Sequence, residues 1–135
     1  MRVFVYKWIF SYNTNTRKEI VMGLIDIHTH ILYGVDDGAK TLSDSMGLLD
    51  EEREQGVDAV IMTPHYGPKF GHPDKDVLRE HFDEISQKAE RYYPEISLYL
   101  GSELYYQENT ISDLDGGKAL TMNGTRYVLV EFGVK

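Results

Sequence analysis

Five residues of metal-binding type fall at the ends of predicted strands, and a sixth lies in the loop after the first strand. His28 and His30 close the run Leu24-Ile25-Asp26-Ile27-His28. His65 follows the run ending Thr63-Pro64, Glu103 follows Leu100-Gly101-Ser102, and Glu131 lies near the end of Tyr127–Phe132. Residues i and i+2 of a strand face the same way, so both rings of His28-Thr29-His30 can reach one centre. Asp37 can join them from the loop that follows. Mixed imidazole and carboxylate donors suit zinc, manganese or iron, whereas an all-oxygen set would suit magnesium or calcium. Two or more such ions lower the pKa of a bound water and stabilise charge on both the attacking and leaving oxygens of a phosphoester. A lone His-x-His is more often incidental than metal-binding. Five donors at four successive strand ends are a far rarer coincidence.

Neighbouring residues have more ordinary readings. Asp26 could orient an imidazole or be a buried hydrogen-bond acceptor. Glu131 sits inside an apolar run, where a buried carboxylate needs a partner or a metal. His72 and His81 lack strand-end placement and read as surface residues. Tyr92, Tyr93, Tyr105 and Tyr106 read as packing residues or pocket walls.

The elements that must position these groups alternate. Leu24–His28, Val57–Thr63, Ile96–Leu100 and Tyr127–Phe132 read as strands. Thr41, three residues before Asp44, has the form of a capping box. Leu42, Met46 and Leu49 give that helix its period, and Gly56 supplies a stop. Leu78, Phe82, Ile85, Ala89 and Tyr92 form one apolar stripe of a second helix closed by Pro94. A short helical or irregular stretch is expected around Thr110–Leu114, and Asn123-Gly124 marks a tight turn. Strands alternating with helices predict an α/β fold, a parallel sheet or β/α barrel. In it all strand C-terminal ends, and so all the candidate donors, share one rim.

Composition sets the outer bounds. The 135 residues can form at most one domain with a real core, and 41% hydrophobic with 27% charged residues argues against disorder. A net charge of −8 argues against nucleic acid as a bulk electrostatic partner. With no cysteine, thiolate sites and cysteine nucleophiles are excluded, consistent with a cytoplasmic location. The apolar run at residues 1–10 is too short to span a bilayer. Residues 1–21 are expected to be an extension, non-native or poorly ordered, before a domain that starts at about residue 22.

Ile25-Asp26-Ile27-His28-Thr29-His30-Ile31-Leu32 with Gly34-Val35-Asp36-Asp37-Gly38 resembles the opening of the polymerase-and-histidinol-phosphatase (PHP) superfamily. Its manganese-dependent tyrosine phosphatases of bacterial capsular polysaccharide synthesis match best, through Thr63-Pro64-His65, Gly101-Ser102-Glu103 and Leu129-Val130-Glu131-Phe132. The resemblance spans roughly residues 22–132. It implies a distorted PHP-type β/α barrel, represented here by roughly its first four strands. It further implies hydrolysis of phosphotyrosine by metal-activated hydroxide at two or three manganese ions, with zinc or iron as alternatives. His28, His30, Asp37, His65, Glu103 and Glu131 match its metal ligands and act through the metals. Glu103 would bridge, and Asp37 with His65 would hold an outer ion. The implied partner is a phosphotyrosine protein, such as a bacterial tyrosine kinase of polysaccharide synthesis, with no membrane insertion.

Members of that branch are longer, and they draw a further histidine, an Asp-x-His pair and phosphate-gripping arginines from beyond the matched region. The chain therefore reads as the front half of such an enzyme, with severely reduced activity expected of it. Competing readings are an inactive fragment that at most binds metal, another PHP or TatD-like hydrolase such as a histidinol-phosphate phosphatase, and an α/β domain whose histidines are accidental.

Overall fold

Residues 23–133 are described by a computed structural model; the expected extension at 1–21 lies outside the described residues. The four expected strands are present, and two of them continue beyond a break, giving six. These are β1 (Leu24–Thr29), β2 (Val57–Met62), β3 (His65–Tyr66), β4 (Ser97–Leu100), β5 (Glu103–Tyr105) and β6 (Leu129–Glu131). The helices are α1 (Leu42–Glu54), α2 (Lys75–Tyr92) and α3 (Thr110–Asp115).

All the strand pairs are parallel, in the orders β1-β2-β4 and β3-β5-β6. Each break falls where the sequence interrupts the ladder. Pro64 separates β2 from β3, and Gly101-Ser102 separates β4 from β5. The hydrogen bonds nonetheless run on across the gap: Gly101 N–H donates to the Met62 carbonyl and Glu103 N–H to the Pro64 carbonyl. The result is one strand order, bent at a seam between two short sheets. Parallel pairing demands a long crossover between neighbours, and α1 and α2 supply the first two.

The helices form where their sequences direct. Thr41 Oγ1 accepts from Asp44 N–H while Asp44 accepts from Thr41 N–H, a complete capping box. Gly56, with φ +76, ends α1 in the left-handed conformation a β-carbon would disfavour. On α2, Leu78, Ile85 and Ala89 are buried. Tyr92, expected on that stripe, is exposed instead. The chain leaves the helix at Tyr93, whose ring packs against the core and whose hydroxyl donates to the Met46 carbonyl. The main core joins Leu32, Leu49, Val60, Met62, Leu78 and Ile85 beneath the first sheet, and a second, smaller one joins Tyr66, Leu104 and Ala119. Among the described residues no helix is long and apolar enough to cross a membrane.

Candidate metal centre

The seam between the sheets gathers the donors. β3 and β5 pair with His65 opposite Glu103, and β5 and β6 pair with Glu103 opposite Leu129. This places Glu103 in the middle, with the end of β1 bringing His28 and His30 to it. His28 Nε2 lies 3.4 Å from Glu103 Oε1, and His30 Nε2 lies 3.5 Å from Glu103 Oε2. His65 Nδ1 is 2.9 Å from Glu103 Oε2, and its Nε2 is 3.4 Å from Asp37 Oδ1. Glu131 Oε2 approaches His65 Nδ1 at 3.8 Å. All six expected residues therefore meet at one place.

Hydrogen bonding fixes which ring nitrogens are free. His28 Nδ1 lies 2.8 Å from Thr63 Oγ1, a contact in which the imidazole donates when the hydroxyl proton is directed to the Thr29 carbonyl, 3.3 Å away. His30 Nδ1 donates to Asp36 Oδ2 at 2.7 Å. With Nδ1 engaged in this way, both rings turn Nε2 toward the Glu103 oxygens. Imidazoles that bind metals are held in this way, by a hydrogen bond from the other ring nitrogen.

Asp36 is the residue that sequence reasoning missed. Its side chain is fully buried, and besides His30 it accepts from the backbone N–H groups of Gly38 and His65. It ties the loop after β1 to the start of β3. Gly38 sits where a β-carbon would collide with the His30 carbonyl, so this loop requires glycine there. Asp26, considered as an imidazole-orienting group, instead accepts from the backbone N–H of His28. Two other expectations need correction. Glu131 is exposed, its side chain retaining 44% of its accessible surface, because β6 is an edge strand among the described residues. His81 is half-buried, stacked on Tyr33 at 4.2 Å and hydrogen-bonded to the Tyr33 carbonyl.

The donor geometry suits a cation. Two donors held ~2.1 Å from one ion at tetrahedral or octahedral angles lie about 3.0–3.4 Å apart. The His28–Glu103, His30–Glu103 and His65–Asp37 separations match that spacing. Three overlapping sets of donors can each converge on a point: His28, His30 and Glu103; His30, Asp37 and His65; His65, Glu103 and Glu131. Glu103 Oε2 is buried and makes no hydrogen bond, despite its closeness to His65. Such an orphaned acceptor, ringed by imidazoles, is what a metal ligand looks like without its ion.

Electrostatics agree. Burial pushes the Glu103 carboxyl up to about 7, and nearby Glu131 and Asp36 add to the shift against the pull of His30. Burial, then the charges of His30 and His65, lower His28 to about 4. Burial opposes protonation of His30, but the hydrogen bond and charge of Asp36, with Glu103 and Asp37, raise it overall. Protons on Glu103 and His30 thus compete with a cation, whereas His28 is already free. Apparent affinity for a divalent cation is expected to rise with pH, by up to about tenfold per unit for each proton displaced, until both groups are deprotonated. Calorimetric titrations at pH 6, 7 and 8 in buffers of different ionisation enthalpy would count the protons released; a pH-independent affinity would contradict this assignment.

Comparison with known proteins reaches the same region. The family model described as "Capsular polysaccharide synthesis, CpsB/CapC" matches residues 24–135. The tyrosine-protein phosphatase CpsB of Streptococcus agalactiae is 33% identical over 112 residues, which cover 83% of this chain and 46% of that protein. The tyrosine-protein phosphatase YwqE of Bacillus subtilis is 30% identical over 109 residues, covering 81% and 43%. A solved chain, from crystal structures of YwqE and Streptococcus pneumoniae CpsB described as unique metal-dependent tyrosine phosphatases, superposes with a TM-score of 0.74 at 30% identity. It covers 81% of this chain and 44% of the solved one. The chain spans about half the length of the curated relatives it matches.

Proposed function

The chain belongs to the CpsB/CapC capsular polysaccharide synthesis family, and on that premise we propose that it carries the metal-binding part of a phosphotyrosine phosphatase. The observation that supports this most is Glu103, whose Oε2 is buried and makes no hydrogen bond while the carboxylate faces the Nε2 atoms of His28 and His30. His28, His30 and Glu103 would hold one ion and Asp37 with His65 a neighbouring one, with Glu103 shared and Glu131 closing the far side. Manganese is the metal we assign, with zinc or iron able to use the same donors. A bound divalent cation supplies Lewis acidity that activates water for attack on phosphorus and screens the phosphoryl oxygens.

The protein's own groups do the positioning. Thr63 and Asp36 hold the imidazoles of His28 and His30 in the tautomer that leaves Nε2 free. Asp36 also fixes the loop that carries Asp37 and the backbone of His65. Burial pushes the Glu103 carboxyl up to about 7, so a cation held there would displace its proton. The substrate would be a phosphotyrosine protein, with a bacterial tyrosine kinase of polysaccharide synthesis as the partner and the cytoplasm as the location.

The test is manganese-dependent phosphate release from a phosphotyrosine peptide, measured beside metal content. It is run on the 135-residue chain and on a version extended by whatever coding sequence lies downstream. Turnover of phosphotyrosine but not phosphoserine, abolished by chelation, is the expected result. Stoichiometric metal with no hydrolysis in either version would favour a metal-binding piece without activity and sink the phosphatase reading.

A further inference from the structure

Three imidazoles meet the donor cluster, and two of them are steered through Nδ1, His28 by Thr63 and His30 by Asp36. His65 has no nitrogen to spare for this. Its Nδ1 faces Glu103 Oε2 at 2.9 Å and Glu131 Oε2 at 3.8 Å, and its Nε2 faces Asp37 Oδ1 at 3.4 Å. A turn about the Cβ–Cγ bond would carry both nitrogens off their carboxylates. The plane of this ring therefore matters, and only its faces remain to fix it. Among the described residues two rings lie beside it. His30 is tilted by 41° at 4.5 Å between centroids, whereas Phe70 is nearly parallel, at 10° and 4.3 Å. Phe70 sets the plane.

The stack is built against the strand that carries Glu103. Phe70 belongs to the loop Gly67–Gly71, directly after β3, which closes on itself through Gly67 N–H donating to the Gly71 carbonyl at 2.9 Å. Gly71, with φ +83, makes the return turn. A β-carbon on Gly67 would lie 2.6 Å from Tyr105 Cβ, so the loop backbone rests on β5 two residues beyond Glu103. Phe70 is thus held relative to Glu103 and holds His65 in turn. Resting on the metal assignment made under the proposed function, we propose that Phe70 is a positioning residue for His65. By stacking it does for this imidazole what Thr63 and Asp36 do for the other two, and it tunes affinity for the ion at His65 and Asp37. An orienting partner of a metal-bound imidazole contributes to affinity without touching the ion. A flat partner fixes a ring's plane, whereas an aliphatic side chain of similar size fills the space and leaves the ring free to turn.

Calorimetric titration of manganese into the metal-free 135-residue chain tests this, with His65→Ala identifying the phase that belongs to the ion at His65 and Asp37. Phe70→Leu should weaken that ion about tenfold and leave the ion at His28, His30 and Glu103 within about twofold. Phe70→Tyr, which keeps the flat ring, should bind both ions as the wild type does. Thermal unfolding without metal checks that each variant folds, and Phe70→Met makes the same comparison if the leucine variant does not. If Phe70 merely fills space, the leucine variant will bind both ions like the wild type. If it supports the cluster as a whole, leucine will weaken both ions alike. Either result overturns the proposal and leaves the metal assignment standing, as does a tyrosine variant no better than leucine. A wild type that takes up no manganese, or one ion only, removes the two-ion assignment and this inference together.

Discussion

Replacing Glu103 with glutamine is expected to stabilise the metal-free protein at pH 8 and to weaken its response to manganese severely. The two effects have one cause. In the metal-free fold the Glu103 carboxyl is raised from 4.5 to about 7, chiefly by burial. A group raised in the folded state contributes its full stability below its unfolded pKa and loses it as pH rises through the folded value. At pH 8 the ionised carboxylate therefore costs about 3 kcal/mol, which a neutral amide of the same shape removes. At pH 5, where Glu103 is protonated, variant and wild type should unfold together. His28 has the opposite sign: with its folded value near 4, its contribution grows as pH rises from 4 to 6.5. The two trends oppose each other in the wild type, and the Glu103→Gln variant exposes the histidine's rise. With manganese the ranking inverts. Glu103 approaches both Nε2 atoms at the spacing of shared ligation, and its loss should lower metal affinity by at least about a hundredfold, the upper range for an orienting group alone. Thermal unfolding with and without manganese at pH 5 and 8 reads all of this. A variant that is less stable without metal, or that manganese stabilises as much as the wild type at the same concentration, would show Glu103 to be an ordinary structural carboxylate.

Asp36→Ala is expected to destabilise the fold by about 3–5 kcal/mol, as loss of one member of a buried charged network does. Three donors lose their acceptor at once: the ring of His30 and the backbone N–H groups of Gly38 and His65. Asp36→Asn should be milder. It keeps one of two oxygens, yet both are used, so either Gly38 or the His30–His65 pair is left facing an amide N–H. Chemical denaturation gives the stability, and manganese titration of the folded asparagine variant should show weakened binding by about 10–100-fold. Wild-type stability in the alanine variant would mean that water replaces the carboxylate and that the loop does not depend on it.

The difference between these two residues shows what a sequence can disclose. Glu103 was legible because a strand end has a direction: in parallel strands every C-terminal end shares one rim, and donor types at successive ends need no coordinates to converge. His28, His30 and His65 were legible for the same reason. Asp36 and Asp37 are adjacent in a loop, where no periodicity says which carboxylate turns inward. The inward one proved to be the first, because Gly38 and His65 offer it backbone N–H groups. The bend was hidden too. Pro64 signals the end of a strand, yet its carbonyl keeps accepting from Glu103, so the ladder resumes at once in a second sheet. Glu131 was misjudged because burial of an edge strand depends on what lies beside it, which its own residues do not encode. His81 was misjudged because its partner, Tyr33, lies 48 residues away.

The seam has a last consequence, for the order in which the molecule acquires its shape. The donors are dealt out one crossover at a time, from His28 near the start of the described fold to Glu131 near its end. Only His28, His30 and Asp37 are local to one another, and none of the three donor sets is complete without His65 or Glu103 from a later strand, so a nascent chain presents no ready-made cage while it is still open. An ion caught by the finished site fastens all three crossovers, and its binding energy resists opening of the fold as a whole rather than of one loop. Metal uptake at such a site would follow completed folding, and metal loss would loosen both sheets together.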